Sequence, residues 1–129
     1  MADDEKIRQQ AKAFVEKLGG VPRANWTFKK GHYKQELTTI SNAALTRGLA
    51  IEELYKIQVE DFKAGPKPDH HDPAHEVWEF GRVIGGSEAY IKIKIVEQEG
   101  KEPQGVIWSF HAPQYPIRYP LKSKRKKKI

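Results

Sequence analysis

The chain has 129 residues, of which 38% are hydrophobic and 31% are charged, and it contains no cysteine. Twenty-three lysines and arginines against seventeen acidic residues give a net charge of +6, which favours polyanionic or acidic partners. This length predicts one domain with its own core. The lack of cysteine excludes a disulfide framework and a thiolate metal site, and no apolar run approaches membrane length. We therefore expect a cytoplasmic protein without a membrane partner.

The positive charge is concentrated in a basic tail, residues 122–129, which follows the predicted domain at residues 1–121. Six residues of the tail are lysine or arginine. A terminal basic run is typical of an arm that adds nonspecific affinity for phosphate. Lys124 and Arg125 are therefore predicted to contact RNA.

The first predicted element is an amphipathic helix over residues 4–18. Asp3 or Asp4 can cap its N-terminus, and Gly19-Gly20 ends it. Its apolar side chains recur at helical spacing and form one stripe, which comprises Ile7, Ala11, Phe14, Val15 and Leu18.

A short strand and two more helices are predicted next. Trp26 and Phe28 are two residues apart, which is the spacing of one face of a strand. A helix over Tyr33–Arg47 then ends at Gly48, and a third helix covers Ile51–Ile57.

An irregular segment, Gly65–Pro73, separates the helices from the remaining strands. Its alternate prolines, Pro66 and Pro68, predict an extended path outside regular structure. A long ordered loop in so small a domain is often near the active surface.

The C-terminal half predicts a meander with strands at Glu76–Ile84, Glu88–Val96 and Gly105–Phe110. Gly85-Gly86 predicts a hairpin because glycine adopts positive φ at both turn positions. Prolines beyond His111 predict a covering or edge segment instead of another central strand. We therefore expect an α+β fold in which N-terminal helices pack on a small antiparallel sheet.

The second strand of this meander alternates between apolar and polar residues. Its apolar side chains fall on one face and comprise Ala89, Ile91, Ile93 and Ile95. The opposite face carries Tyr90, Lys92 and Lys94. Lys92 and Lys94 are predicted to bind RNA, and the alternative is an ordinary solvated face.

RNA cleavage by the 2′-hydroxyl of the RNA itself needs a base, an acid and cations that stabilise the extra negative charge. Glu79 or His111 can be the base, and His111 or Tyr90 can be the acid. Lys63 and Lys92 can stabilise the charge, and this route requires no metal or other cofactor. Each residue also has a structural alternative, such as cross-strand packing of Tyr90 or solubility of an edge strand.

Two other groups of residues offer different chemistry. Imidazole and carboxylate groups in Asp69–His75 are suitable ligands for zinc or manganese and raise the alternative of a metal-dependent hydrolase. Their spacing matches no helical metal motif, so a solvated loop is favoured and no metal is assigned. Five aromatic residues can pack the core or stack on bases, with the core favoured, namely Trp26, Phe28, Trp78, Phe80 and Trp108.

Three parts of the chain carry a resemblance to a known family: residues 49–63, residues 76–81, and residues 89–95 together with 106–111. They resemble the motility quorum-sensing regulator (MqsR) family of toxins, which are mRNA interferases with a RelE-like fold. The resemblance covers roughly residues 36–112 and implies a helical part that precedes an antiparallel sheet.

The resemblance also implies catalytic residues. The family's loop lysine and its tyrosine correspond to Lys63 and Tyr90. Where the family has a glutamine this chain has Glu79, and where it has a C-terminal lysine this chain has His111. Both departures are compatible with proton transfer, because imidazole is the better proton shuttle near neutral pH and carboxylate the better base.

These observations favour the toxin of a toxin–antitoxin pair, a metal-independent endoribonuclease that cleaves mRNA, free or on the ribosome. The family implies a cognate antitoxin protein as partner, and the basic charge suits an acidic inhibitor. The alternative is a noncatalytic nucleic-acid-binding module that holds phosphate through the tail and the Tyr90, Lys92 and Lys94 face.

Overall fold

A computed structural model describes residues 2–29 and 46–122 of the chain. The described helices and strands, in chain order, are α1 (Ala2–Leu18), β1 (Trp26–Phe28), α2 (Arg47–Leu54), β2 (Phe62–Asp69), β3 (Asp72–Ile84), β4 (Ser87–Val96) and β5 (Gln104–His111). The five strands form one open sheet in the order β1-β5-β4-β3-β2. The expected α+β class is confirmed. Within the described residues no helix has the length and apolar character needed to cross a membrane.

The predicted first helix is confirmed as α1, and it covers one face of the sheet. Ala11, Phe14 and Leu18 of the predicted stripe are buried. The Phe14 ring stacks on Trp78 with 4.9 Å between centroids and on Phe80 with 5.9 Å. These β3 residues are two apart and therefore share the face that meets the helix. The core lies between α1 and this face.

Helix α2 starts earlier than the predicted third helix. The Thr46 side chain accepts a hydrogen bond from the Leu49 backbone N–H at 3.2 Å and so caps the helix. Gly48 lies inside α2, and its predicted role as the end of the preceding helix is wrong. The rest of the predicted helix over Tyr33–Arg47 falls outside the described residues, apart from its last two residues, Thr46 and Arg47.

The segment predicted to be irregular belongs to the sheet. Residues up to Asp69 extend β2, and β3 begins at Asp72, so the chain forms a hairpin with His70-His71 at its turn. Strand β2 is an edge strand with an irregular register against β3. An edge strand tolerates proline because half of its backbone groups have no strand partner. Alternate prolines therefore did not prevent strand formation.

The sheet is mixed, not purely antiparallel. The predicted strand at Trp26 and Phe28 is confirmed as β1, but it runs parallel to β5, with Trp26 opposite Gly105. A Cβ atom on Gly105 would lie 2.2 Å from the Trp26 ring. Because glycine has no side chain, the buried Trp26 indole can pack directly on the backbone of Gly105. The other neighbouring strands pair antiparallel.

The face of the sheet opposite α1 carries Glu79, Tyr90, Lys92, Lys94 and His111, and we call it the polar face. The β3–β4 turn is the predicted one, with positive φ at the two central glycines. Strand β5 contains a bulge opposite the Lys92–Ile93 step, which leaves one of its residues without a register partner.

The residues after β5, 112–122, form a covering segment as predicted, and we call it the C-terminal strap. Glu88 of β4 holds it by accepting hydrogen bonds from the Ile117 N–H at 3.1 Å and the Tyr119 hydroxyl at 2.7 Å. The strap approaches β3 so closely that a Cβ atom on Gly81 would lie 2.6 Å from the Tyr119 hydroxyl oxygen. Glycine at this position therefore allows the strap to pack on the sheet.

Candidate functional site

The four residues predicted to be catalytic lie next to one another on the polar face. Tyr90 and His111 are register partners on β4 and β5, and their ring centroids are 5.2 Å apart. The Lys63 ammonium on β2 lies 5.7 Å from the Tyr90 ring centroid and 3.4 Å from Glu79 Oε1 on β3. Four strands thus bring together residues that are far apart in sequence.

Glu79 lies beneath this group with only 5% of its surface exposed. Trp78 and Phe80 on either side of it point into the core, so strand alternation places the carboxylate on the polar face. It pairs with Lys63 at 3.4 Å and with Lys67 at 2.8 Å. Burial opposes ionisation of Glu79, but hydrogen bonds from Lys67 and Tyr90 outweigh it and hold the pKa of the carboxyl below its usual value.

The Tyr90 phenol is held in its protonated form. Burial raises its pKa well above the usual value, and the neighbouring Glu79 carboxylate raises it further. At neutral pH the hydroxyl therefore carries its proton and donates a hydrogen bond to the Glu79 carboxylate.

The tautomer of His111 follows from one hydrogen bond. Its Nδ1 lies 2.8 Å from the backbone carbonyl oxygen of Ala112. A carbonyl oxygen can only accept, so Nδ1 carries the hydrogen. In the neutral ring Nε2 is then the proton acceptor.

A cleft lies between these side chains and the C-terminal strap, with a volume of about 760 Å³. Lys63, Tyr90 and His111 form its sheet side. The strap side includes Tyr115, which is 77% exposed, and Arg118. A nucleotide-sized ligand placed there would contact an ammonium, a phenol and an imidazole together.

The two lysines predicted to bind RNA from β4 have different surroundings. Lys92 is partly exposed, and its ammonium lies 5.3 Å from the Trp108 ring centroid. Lys94 is buried, and its ammonium lies 2.6 Å from Asp69 Oδ2. Contrary to the strand pattern, Lys94 therefore does not belong to the exposed polar surface, because the β2–β3 hairpin brings a carboxylate over it.

The ion pair between Asp69 and Lys94 strongly shifts the pKa of the Asp69 carboxyl. The hydrogen bond from Lys94 outweighs burial and lowers the pKa of Asp69 to about 2. Lys94 also lies 3.2 Å from His75 Nδ1, which is 3.1 Å from Asp72 Oδ2. In the described part of the chain, no group of three or more histidine and carboxylate side chains lies close enough together to bind a metal ion. The acidic and histidine side chains of Asp69–His75 are instead used largely in these pairs.

The five aromatic residues divide between the two predicted roles. Trp26, Trp78 and Phe80 are buried in the core, and Phe28 packs against it. Trp108 is partly exposed on the polar face, where Lys29 and Lys92 lie near its ring. Trp108 is therefore the member of this set that can contact a ligand on the polar face.

The sequence patterns missed Lys67 and the strap residues of the cleft. Lys67 is four residues after Lys63, and in a strand this even spacing puts both on one face. That signal was hidden because the segment was predicted to be irregular. Arg118 and Tyr119 lie between prolines, and only the tertiary packing on Gly81 brings them to the site. The other predicted RNA contacts, Lys124 and Arg125, lie outside the described residues.

Comparison of the chain with protein-family models, with curated proteins and with solved structures found no match. The resemblance to MqsR toxins stays a prediction. A function for this chain is therefore argued from the geometry and electrostatics of the cleft.

Proposed function

We propose that the chain is an endoribonuclease that cleaves RNA through attack of the 2′-hydroxyl, as the toxin of a toxin–antitoxin pair. One observation supports it most strongly: Lys63, Tyr90 and His111 line a single cleft, with Glu79 in contact beneath them. A cation, a proton donor and a proton acceptor are the groups that this reaction needs.

In the proposed reaction, His111 Nε2 takes the proton of the 2′-hydroxyl while the 2′ oxygen attacks the adjacent phosphorus. The bond between phosphorus and the 5′ oxygen breaks, and the Tyr90 phenol gives its proton to that oxygen. The products are a 2′,3′-cyclic phosphate and a 5′-hydroxyl. Lys63 stabilises the negative charge that develops on the phosphate. The proton on His111 then returns to the Tyr90 phenolate, which restores both groups.

Glu79 is a positioning residue in this proposal and not the base. Its carboxylate is buried, ionised and already paired with two lysines, so it is a weak proton acceptor. By holding Lys63 and Tyr90 it fixes the cation and the proton donor on the same side of the cleft.

We further propose that the chain has a RelE-like fold and that it binds the same kinds of partner as the family that its sequence resembles. An α+β fold with a helix packed on a sheet is compatible with it. The net charge of +6 suits both RNA and an acidic antitoxin that blocks the cleft. Cleavage of mRNA, free or on the ribosome, and binding of a cognate antitoxin are part of the proposal.

The test is cleavage of single-stranded RNA by the purified chain in EDTA, with analysis of the products for a 2′,3′-cyclic phosphate. RNA with a 2′-deoxy substitution at the cleaved position should resist. His111→Ala and Tyr90→Phe should each lower the cleavage rate by about 10²-fold or more. His70→Ala, which removes an exposed histidine at the β2–β3 turn, is the matched control and should cleave normally.

Two results would overturn the assignment. If His111→Ala and Tyr90→Phe both cleave at the normal rate, these residues do not carry proton transfer. If the chain binds RNA without cleaving it, the noncatalytic nucleic-acid-binding module is the correct function. Unfolding curves of each variant distinguish a catalytic defect from loss of the fold.

A further inference from the structure

A second cluster lies on the polar face beside the cleft, and Trp108 is at its centre. The Lys29 ammonium lies 3.7 Å from the centroid of the Trp108 ring, and the Lys92 ammonium lies 5.3 Å from it. The His71 ring lies 6.1 Å away at an interplanar angle of 26°. We call these four residues the tryptophan cluster.

The bulge in β5 lies at Trp108, between Ile107 and Ser109, which both have register partners on β4. Ile107 and Phe110 are three residues apart, yet both are buried in the core. Alternation from Ile107 places Trp108 on the polar face, and the extra residue at the bulge returns Phe110 to the core. The cluster is next to the cleft, because Lys92 lies two residues from Tyr90 on the same face of β4, about 7 Å along the strand.

Among the described residues, no carboxylate forms an ion pair with the lysines of the cluster. Lys63, Lys67 and Lys94 on the same face pair with Glu79 or Asp69. The ion pairs formed by the described residues include neither Lys29 nor Lys92. The buried Trp108 indole Nε1 also has no hydrogen-bond partner within the described structure. The cluster thus offers two ammonium groups to an anionic ligand, beside the partly exposed indole ring.

We propose that the tryptophan cluster is a subsite for the nucleotide adjacent to the cleaved linkage. The base stacks on the Trp108 indole, and Lys29 and Lys92 bind the flanking phosphate. Lys29 covers the indole in the free chain, and its flexible side chain lets the base replace the ammonium while the charge moves to the phosphate. This inference rests on the proposed function, since it takes RNA as the substrate, and it restricts that substrate to a strand with unstacked bases.

The subsite is tested by binding, independently of cleavage. The Kd of a short single-stranded RNA is measured in the full chain carrying His111→Ala, with and without Trp108→Leu. We expect Trp108→Leu to raise the Kd about tenfold or more, and Trp108→Phe to retain most of the affinity because it keeps an aromatic face. A duplex RNA of the same sequence should bind more weakly and should not respond to Trp108→Leu.

The phosphate contact has its own measurement. Lys29→Gln should reduce the slope of log Kd against log salt concentration by about 0.7, the value for one phosphate contact on a single strand. Lys12→Gln removes the same charge from α1, which packs against the opposite face of the sheet, and should leave the slope of the RNA complex nearly unchanged. If Trp108→Leu fails to fold, the salt dependence of the Kd for RNA in Lys29→Gln and Lys92→Gln tests the subsite instead. An unchanged slope in both variants would then overturn it.

The cleavage assay separates this inference from the proposed function. With His111 intact, Trp108→Leu should raise KM and leave kcat unchanged. Normal Kd and KM in Trp108→Leu would overturn the subsite even if the chain is a nuclease. Loss of binding in Trp108→Leu, in a chain that cleaves no RNA, would support the subsite and overturn the proposed nuclease.

Discussion

Glu79 sets the charge distribution of the polar face, because one buried carboxylate contacts both Lys63 and Lys67. The same carboxylate raises the pKa of Tyr90, so the phenol keeps its proton. Glu79, which the sequence offers as a candidate base, thus holds two lysines by ion pairs in the folded chain. The role of proton acceptor is left to His111, whose Nδ1–H is fixed by the Ala112 carbonyl.

The second buried carboxylate, Asp69, has a structural role that can be measured. Its ion pair with Lys94 is buried on both sides, and breaking one partner of such a pair is costly. Asp69→Asn should lower the free energy of unfolding at neutral pH by about 3 kcal/mol, measured by chemical denaturation. Asp72→Asn, which removes an exposed carboxylate three residues away, is the control and should cost less than about 1 kcal/mol.

The pH dependence of this effect follows from the sign of the pKa shift. The pKa of Asp69 is lower in the folded chain, at about 2, than its ordinary value of 3.8. Its contribution is therefore complete above pH 3.8 and is lost as the pH falls towards 2. The stability difference between the natural chain and Asp69→Asn should shrink over the same range. A difference that stays constant down to pH 2 would contradict the assigned pKa shift.

At the scale of elements, the strands with regular apolar and polar alternation were predicted from the sequence, whereas the proline-containing strand segments were not. Strand β4 and helix α1 each bury one face, so their apolar residues recur at the spacing of a strand and of a helix. Both elements were therefore predicted from the sequence. The extension of β3 to Asp72 and the whole of β2 were missed, because proline suppresses the strand pattern regardless of whether the strand is at an edge.

The candidate site divides in the same way. The alternation placed Tyr90 and Lys92 on one face, and the groups that RNA cleavage needs selected Lys63, Glu79 and His111, which the family resemblance also indicated. The sequence could not show that Lys94 is covered by Asp69, since that contact depends on the path of the β2–β3 hairpin. It also could not show the bulge at Trp108, which lets both Ile107 and Phe110 reach the core, because a bulge changes the strand period locally.

The C-terminal strap is the element on which the shape of the cleft depends. A Cβ atom at Gly81 would come within 2.6 Å of the Tyr119 hydroxyl oxygen and 2.7 Å of Ile117 Cδ1. Gly81→Ala should therefore displace the strap and lengthen its hydrogen bonds to Glu88. We expect faster amide hydrogen exchange at residues 117–119 and a cleavage rate at least several-fold lower, while β3 and β4 keep their protection.

The control for this variant is Gly48→Ala. It makes the same chemical change in α2, where a new Cβ atom would meet nothing within 4 Å, and alanine is the better helix former. Gly48→Ala should leave hydrogen exchange in the strap and cleavage unchanged. Unchanged exchange in Gly81→Ala as well would show that the strap is not held by its contact with β3.

At the scale of the whole molecule, much of the excess positive charge belongs, in the sequence, to residues that follow the cleft residues. Residues 123–129 contain five of the twenty-three basic side chains, whereas Glu79 and Asp69 neutralise lysines close to the cleft. Long-range attraction of RNA and the local chemistry of cleavage should therefore depend on different parts of the chain.

Removal of residues 123–129 tests this separation. The truncated chain should bind RNA more weakly at low salt, with the slope of log Kd against log salt concentration reduced by up to about 3.5, or about 0.7 for each of the five charges. Its kcat at saturating RNA should equal that of the full chain, because Lys63, Tyr90 and His111 all precede the deletion. Replacement of the five basic residues by serine at constant length is the control and should behave alike, since charge and not length drives the effect. A large fall in kcat would instead assign part of the catalytic site to the tail.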